Sequence, residues 1–226
     1  MENGTLYIVS TPIGNLEDIT LRAIRILKEV DLVASEDTRH SAVLLKHHGI
    51  DARQISYYDQ VEAKRSDEIL GMLREGKNVA LITDAGTPLL SDPGYRLVAK
   101  AIGAQITVVP VPGASALLSA MVASGLASDR FCFEGFLPKK KGRQTRLKQL
   151  ATEPRTIVIY ESPYRVLKTL RDLQSFLGDR EVTVARELTK LYEEFRRGPI
   201  SEMIGYYSVN KPKGEFVLVL EGLRQK

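Results

Sequence analysis

A chain of 226 residues, 43% hydrophobic and 27% charged, can bury one large or two small α/β cores without a disulfide or metal staple. The single cysteine, Cys132, excludes a disulfide framework and sits in the apolar run 131–133, where core packing in a reducing compartment is expected and a nucleophile is the lesser alternative. No apolar run approaches the ~20 residues of a membrane span, and no basic segment precedes the short apolar run 6–9, so a cytoplasmic protein without a signal peptide is expected.

The net charge of +4 is unevenly placed. Residues 1–112 hold 12 Lys/Arg against 15 Asp/Glu, whereas residues 113–226 hold 20 against 13. A second half at +7 points to a polyanionic partner there, the alternative being a solvated basic face.

In chain order, residues 6–10 read as a short strand that runs into Thr11-Pro12-Ile13-Gly14-Asn15. Asn15 is expected to cap a helix with Glu17 and Asp18 in its first turn and a buried stripe of Leu16, Ile19, Ala23, Ile24, Leu27 and Val30. A strand at 32–35 leads into Glu36-Asp37-Thr38-Arg39-His40 and a helix to about His48. The histidines at 40, 47 and 48 have no metal-ligand spacing, and no metal is expected. A strand at 55–58 is followed by a charged, helix-prone stretch ending at Gly76.

The buried-type strand 78–83 then meets TDAGTPLLSDPG, residues 83–94. Asp92 is expected to cap the next helix with Pro93 at its first position and Leu97, Val98, Ala101 and Ile102 as its stripe. In an open α/β sheet, ligands bind outside the carboxyl ends of strands. Gly86 allows backbone to approach a ligand there, and Asp84 adds a carboxylate. Neither GxGxxG nor a Walker loop is present. A strand at 106–110 precedes Pro112-Gly113-Ala114-Ser115-Ala116, whose small residues expose first-turn amides able to hold an anion, and 110–113 is the candidate domain boundary.

Strand and helix alternate through the first half, which argues a mostly parallel sheet. The second half offers strands near 131–136, 155–160, 181–187, 193–198 and 214–221, with helices near 143–151, 163–177 and 200–207, and a mixed sheet is expected. Six of the ten residues 139–148 are basic and none acidic, a pattern suited to phosphate contacts and salt-dependent nucleic-acid binding.

Six segments together carry a resemblance over nearly the whole chain: STPIGN (10–15), SEDTR (35–39), TDAGTPLLSDPG (83–94), VPGASA (111–116), FEGFLP (133–138) and YESPYR (160–165). The chain resembles the tetrapyrrole methylase superfamily, in the branch that modifies ribosomal RNA of the small subunit. That resemblance implies a class III methyltransferase fold of two α/β domains, 1–112 with a mostly parallel sheet and 113–226 with a mixed sheet and basic loop, and S-adenosylmethionine (SAM) in the interdomain cleft. It implies 2'-O-methylation of a cytidine in the decoding region of 16S ribosomal RNA, free or in the small ribosomal subunit, by a homodimer with no metal and no membrane. It places SAM contacts at Pro12, Asp84, Ala85, Gly86, Leu90, Ser115, Ala116, Tyr160, Leu188 and Glu215.

Methyl transfer from a sulfonium to a hydroxyl is an in-line displacement, in which positioning supplies up to ~7–11 kcal/mol of the barrier and a base must take the proton. Glu36 and Glu161, at strand ends, are the candidate bases. Arg39 and Arg165 would hold RNA phosphate or fix those carboxylates, with Lys139, Lys140, Lys141, Arg143 and Arg146 as further RNA contacts. Two alternatives stay open on sequence: a methylase of tetrapyrroles or other small molecules, and a non-catalytic RNA-binding assembly factor.

Overall fold

Alternation of apolar side chains fixes the first sheet. The computed structural model describes residues 2–223, and its first strands are β1 (Thr5–Val9), β2 (Leu32–Ser35), β3 (Gln54–Ser56), β4 (Val79–Leu81) and β5 (Thr107–Val111). They pair in the order β3-β2-β4-β1-β5, and every pairing is parallel. Val79 and Leu81 enter one core with Leu6, Leu32, Leu73 and Leu97, while Ala80 and Ile82 enter another with Val9, Leu27, Val33 and Leu45. Both faces are therefore covered: α3 (Glu62–Arg74) and α4 (Tyr95–Gly103) contribute to the first core, α1 (Leu21–Glu29) and α2 (Thr38–His47) to the second. Such double coverage is what a parallel sheet requires.

The connections decide where a crevice forms. From β1 the chain crosses to β2, beyond β4; from β4 it crosses to β5, on the far side of β1. The loops leaving these adjacent strands diverge in opposite directions, which is the topological switch point of an open sheet.

The second unit begins at Ala116, the division falling between Ser115 and Ala116. Its sheet has the order β6-β7-β10-β8-β9, built from β6 (Phe131–Phe136), β7 (Thr156–Glu161), β8 (Glu181–Arg186), β9 (Glu194–Pro199) and β10 (Phe216–Leu220). Only β6 and β7 run parallel, so the sheet is mixed. One face packs on α6 (Arg143–Leu150), α7 (Val166–Leu177) and α8 (Ile200–Val209) through Leu147, Leu170, Leu173, Met203 and Leu218. The short α5 (Ala116–Val122) lies against β10 and β7. Among the described residues no helix is long and apolar enough to cross a membrane.

Three local expectations are corrected. Asn15 caps only a 3-10 turn, Leu16–Asp18; the chain is extended again at Ile19, and the Thr20 hydroxyl caps α1 by accepting from the Ala23 N–H. The stripe is accordingly Ala23, Ile26 and Leu27, with Leu16 and Ile19 outside the helix. Asp92 does not cap α4: Gly94 does, at φ 135°, and a Cβ there would meet the Leu81 side chain at 2.8 Å. Pro110 and Val111 close β5, paired with Ile8 and Val9, so the expected strand runs one residue further than 106–110. Proline is tolerated at Pro110 because β5 is an edge strand with no outer neighbour needing its N–H.

A polar network crosses the second core. The Arg143 guanidinium, 7% exposed, donates to Asp172 at 2.8 Å, to the Pro138 carbonyl at 3.2 Å and to Thr169 Oγ1 at 2.9 Å. The Thr169 hydroxyl donates onward to Glu161 at 2.6 Å. Such a network holds only while every member is partnered. Arg143→Leu therefore costs about 3 kcal/mol, read as a lower urea midpoint, because it strands Asp172 and one face of Thr169. A midpoint equal to wild type contradicts a structural role for this arginine.

Candidate active site

The site is assembled from three adjacent strand ends, those of β2, β4 and β1. Thr11, just past β1, forms a two-bond bridge with Gly86: the Thr11 N–H donates to the Gly86 carbonyl at 2.9 Å and the Gly86 N–H to the Thr11 carbonyl at 3.1 Å. The Thr11 hydroxyl donates to the Thr83 carbonyl at 3.1 Å. Gly86 sits at φ 86°, and a Cβ on it would press on the Ile13 side chain at 3.2 Å. Ser10 and Thr87 share a hydroxyl hydrogen bond of 2.9 Å, and Thr87 also donates to the Ala114 carbonyl at 3.2 Å, which brings in the segment after β5. Hydroxyl-bearing residues at successive strand ends thus stitch the loops together. The sequence displays them as Ser10, Thr11, Thr83 and Thr87, and chain order alone gives no sign that they pair.

Residues 83–94 hold backbone strain. Leu89 and Ser91 both adopt φ 72°, a left-handed conformation that costs non-glycine residues on the order of 1–3 kcal/mol each. Their loop is pinned at its base by the Gly86 bridge and at its end by the Gly94 N–H, which donates to Glu62 at 3.0 Å. Glu62 also accepts from Tyr57 at 3.2 Å and faces Arg96 at 3.4 Å. Nothing in the sequence marks Glu62 out; its position in a charged helix start hides a contact to a loop 32 residues away.

Carboxylates gather on this edge. Thr83 donates to Glu36 at 3.4 Å, and the Asp37 N–H donates to Asp84 at 3.1 Å. Burial raises the pKa of Glu36, and the like charges of Asp84, Asp92 and Asp59 add to it. Asp92 is raised in the same way, by burial and then by Asp84 and Asp59 against a hydrogen bond from Thr83. Among the described residues no His, Cys, Asp and Glu cluster could hold a metal ion. Beside the carboxylates a pocket of about 220 Å³ is lined by Pro12, Leu16, His40, Val43, Thr83 and Asp84, among others.

The expected SAM contacts fall on both units. In the first, Pro12, Asp84, Ala85, Gly86 and Leu90 lie in the two stitched loops. Ser115 is buried and its hydroxyl has no hydrogen-bond partner, an orphaned polar group of the kind a ligand satisfies. In the second, the Tyr160 hydroxyl accepts from the Leu117 N–H at 3.0 Å, so that first-turn amide of α5 is already occupied. Leu188 is buried, and Glu215 is exposed, paired to Lys190 at 3.0 Å.

The charged candidates divide sharply. Glu161 is fully buried, accepting from Thr169 at 2.6 Å and from the Ser162 N–H at 2.8 Å, with Arg165 at 3.3 Å. It is an internal anchor, and the base assignment from sequence is corrected: its oxygens are committed and have no open face. Arg165 serves the same anchor and donates to the Leu137 carbonyl at 2.6 Å. Arg143 is likewise taken out of the RNA-contact set by its burial. Arg146 grips Glu134 with two bonds of 2.5 and 2.6 Å, and Arg39, 90% exposed, chelates Asp37 rather than Glu36. That chelation holds the Asp37 carboxyl far below its usual range. Lys139, Lys140 and Lys141 are exposed. Burial pushes the Cys132 thiol up to about 11, which disfavours the thiolate a nucleophile needs.

At the level of fold, the chain is similar to a uroporphyrin-III-C-methyltransferase from Thermus thermophilus (TM-score 0.65, 20% identity, covering 96% of this chain and 94% of that one). It is similarly close to a cobalt precorrin-4 methyltransferase (TM-score 0.68, 19% identity, covering 96% and 94%). Among the relatives that carry the name ribosomal RNA small subunit methyltransferase I are three that span nearly the whole of this chain. That of Synechocystis sp. is 55% identical over 221 residues, covering 97% of this chain and 79% of its own. That of Thermotoga maritima is 52% identical, covering 97% and 99%, and that of Escherichia coli O157:H7 is 51% identical, covering 97% and 78%. The family model for Tetrapyrrole (Corrin/Porphyrin) Methylases matches residues 5–204, and the chain belongs to that family.

Proposed function

We propose that the protein is a SAM-dependent methyltransferase acting on 16S ribosomal RNA, transferring a methyl group to the 2'-hydroxyl of a cytidine. The strand-end crevice carries the reading: two glycine-containing loops bridged at Thr11 and Gly86, a half-buried row of carboxylates, and a pocket beside them. The relatives at about half identity carry ribosomal RNA in their name, and the exposed lysines 139–141 suit a polyanion.

SAM, when bound, supplies an electrophilic methyl group whose sulfonium becomes neutral as the methyl leaves. Pro12, Asp84, Ala85, Gly86, Leu90 and Ser115 would hold it in the first unit, with Ala116, Tyr160, Leu188 and Glu215 as the second unit's contributions. The orphaned Ser115 hydroxyl fits a ligand with donors and acceptors of its own. Because positive charge is lost in the transition state, carboxylates against sulfur would favour the ground state. Asp84 is therefore better matched to the donor's ammonium, and Glu36 to the acceptor hydroxyl. Glu36 has the required property, a carboxyl raised by burial and by its anionic neighbours, so that it takes up a proton readily.

Four outcomes are expected. Incubation with methyl-labelled SAM and unmethylated small subunits places label on a cytidine ribose; label that appears on no RNA refutes the assignment. Glu36→Gln lowers single-turnover methylation by about 10²–10⁴-fold with SAM affinity unchanged. The same change stabilises the fold increasingly as pH rises: a carboxyl whose folded pKa is raised above 4.5 loses stability as pH rises through the folded value, so the gain in Tm is complete above that value and vanishes below about 4.5. Replacing lysines 139–141 together by alanine flattens the dependence of RNA affinity on salt by about 0.7 for each phosphate no longer neutralised, and an unchanged slope removes this loop from the interface.

A further inference from the structure

Outside the crevice, the second unit has a hollow of about 570 Å³ between the start of α7 and the segment that enters β10. Pro163, Tyr164 and Leu167 form one wall; Lys211, Pro212 and Lys213 form the other. Tyr164 is 94% exposed, the barest large hydrophobic side chain among the described residues. Lys211 and Lys213 are exposed, and neither ammonium has an ion-pair partner among the described residues. No aspartate or glutamate lines the hollow. Several cations elsewhere in this unit are matched, Arg143 with Asp172, Arg146 with Glu134, Arg155 with Glu153, and Lys190 with Glu187 and Glu215, whereas those of lysines 139–141 are not. Here the positive charge is left open.

Proline on either side gives the walls a fixed backbone, so the ring is presented at little entropic cost. Location places the hollow beside a second basic segment. Tyr164 follows the carboxyl end of β7, Lys211 and Lys213 precede the start of its antiparallel neighbour β10, and lysines 139–141 follow the end of its parallel neighbour β6. All three segments therefore lie at the same end of one sheet, and Arg165 ties two of them by donating to the Leu137 carbonyl.

We propose that this hollow is a contact for single-stranded RNA, with an unpaired base stacked on Tyr164 and the flanking phosphates held by Lys211 and Lys213. An open aromatic ring between unpaired cations matches the chemistry of an unpaired nucleotide, a π-face carried on an anionic backbone. The inference rests on the ribosomal RNA reading above and extends it to a second surface beside the 139–141 loop.

The test measures binding of the full chain to a short unstructured RNA oligonucleotide, alongside methylation of small subunits. Tyr164→Ala is expected to weaken oligonucleotide binding by about five- to hundred-fold, whereas Tyr164→Phe binds as wild type. The double change Lys211→Ala with Lys213→Ala lowers the salt slope by about 1.4. Tm stays constant, since these side chains touch solvent. Wild-type binding by Tyr164→Ala, or an equal loss in Tyr164→Phe, overturns the stacking contact. Weaker binding to whole subunits with undiminished oligonucleotide binding assigns the hollow to a protein and also overturns it. A wild-type chain that methylates subunits, with Tyr164→Ala matching its kcat/KM, sinks this inference alone; a wild-type chain that labels no RNA sinks the parent reading instead.

Discussion

Two backbone hydrogen bonds between Thr11 and Gly86 hold the crevice in shape. A parallel sheet ends ragged, and the loops beyond β1 and β4 leave in opposite directions. The bridge is antiparallel and lies beyond the last regular parallel pair, Ile8 with Leu81, so it ties the loops where they have turned to face each other. From it follow the approach of Thr83 to Glu36, of Asp37 to Asp84, and of Thr87 to the Ala114 carbonyl. Gly86 is fixed at this point by its positive φ and by the crowding of Ile13, so the tie and the glycine are one requirement.

The same edge is costly to fold. Half-buried carboxylates face one another across Thr83, and two non-glycine residues sit in left-handed conformations. Such departures gather where binding is meant to relieve them. The second unit shows the opposite arrangement. Glu161, Thr169, Arg143 and Asp172 form a chain in which each buried polar group has a partner, and that completeness identifies it as scaffold.

Much of the architecture could be read directly from the residues. Alternating strand and helix signals gave the parallel sheet, and the crowding of short strands near the end of the chain gave the mixed one. The strand-end loops were legible because glycine and proline punctuate them. What stayed hidden was pairing across sequence distance. Asn15 and Thr20 are both good caps, and only the extended turn at Ile19 decides between them. Asp92 and Gly94 compete for the start of α4, and the closeness of Leu81 settles it in favour of glycine. Arg143 lies in a run of basic residues whose composition speaks for a solvated face, yet it points inward because Thr169 and Asp172, 26 and 29 residues on, complete it. Local spacing carries no information about such partners.

Each open sheet presents two edges, and all four are blunted. In the first, β3 is only three residues long and β5 carries Pro110, which offers no N–H to a newcomer. In the second, β6 is broken by a register shift between Phe133 and Gly135, and β9 carries Arg196 and Arg197. A foreign strand thus finds no ladder to join. Crowded among nascent chains, such a molecule is guarded against runaway β-stacking, and whatever it recognises must be met by loops and side chains instead of by borrowed backbone.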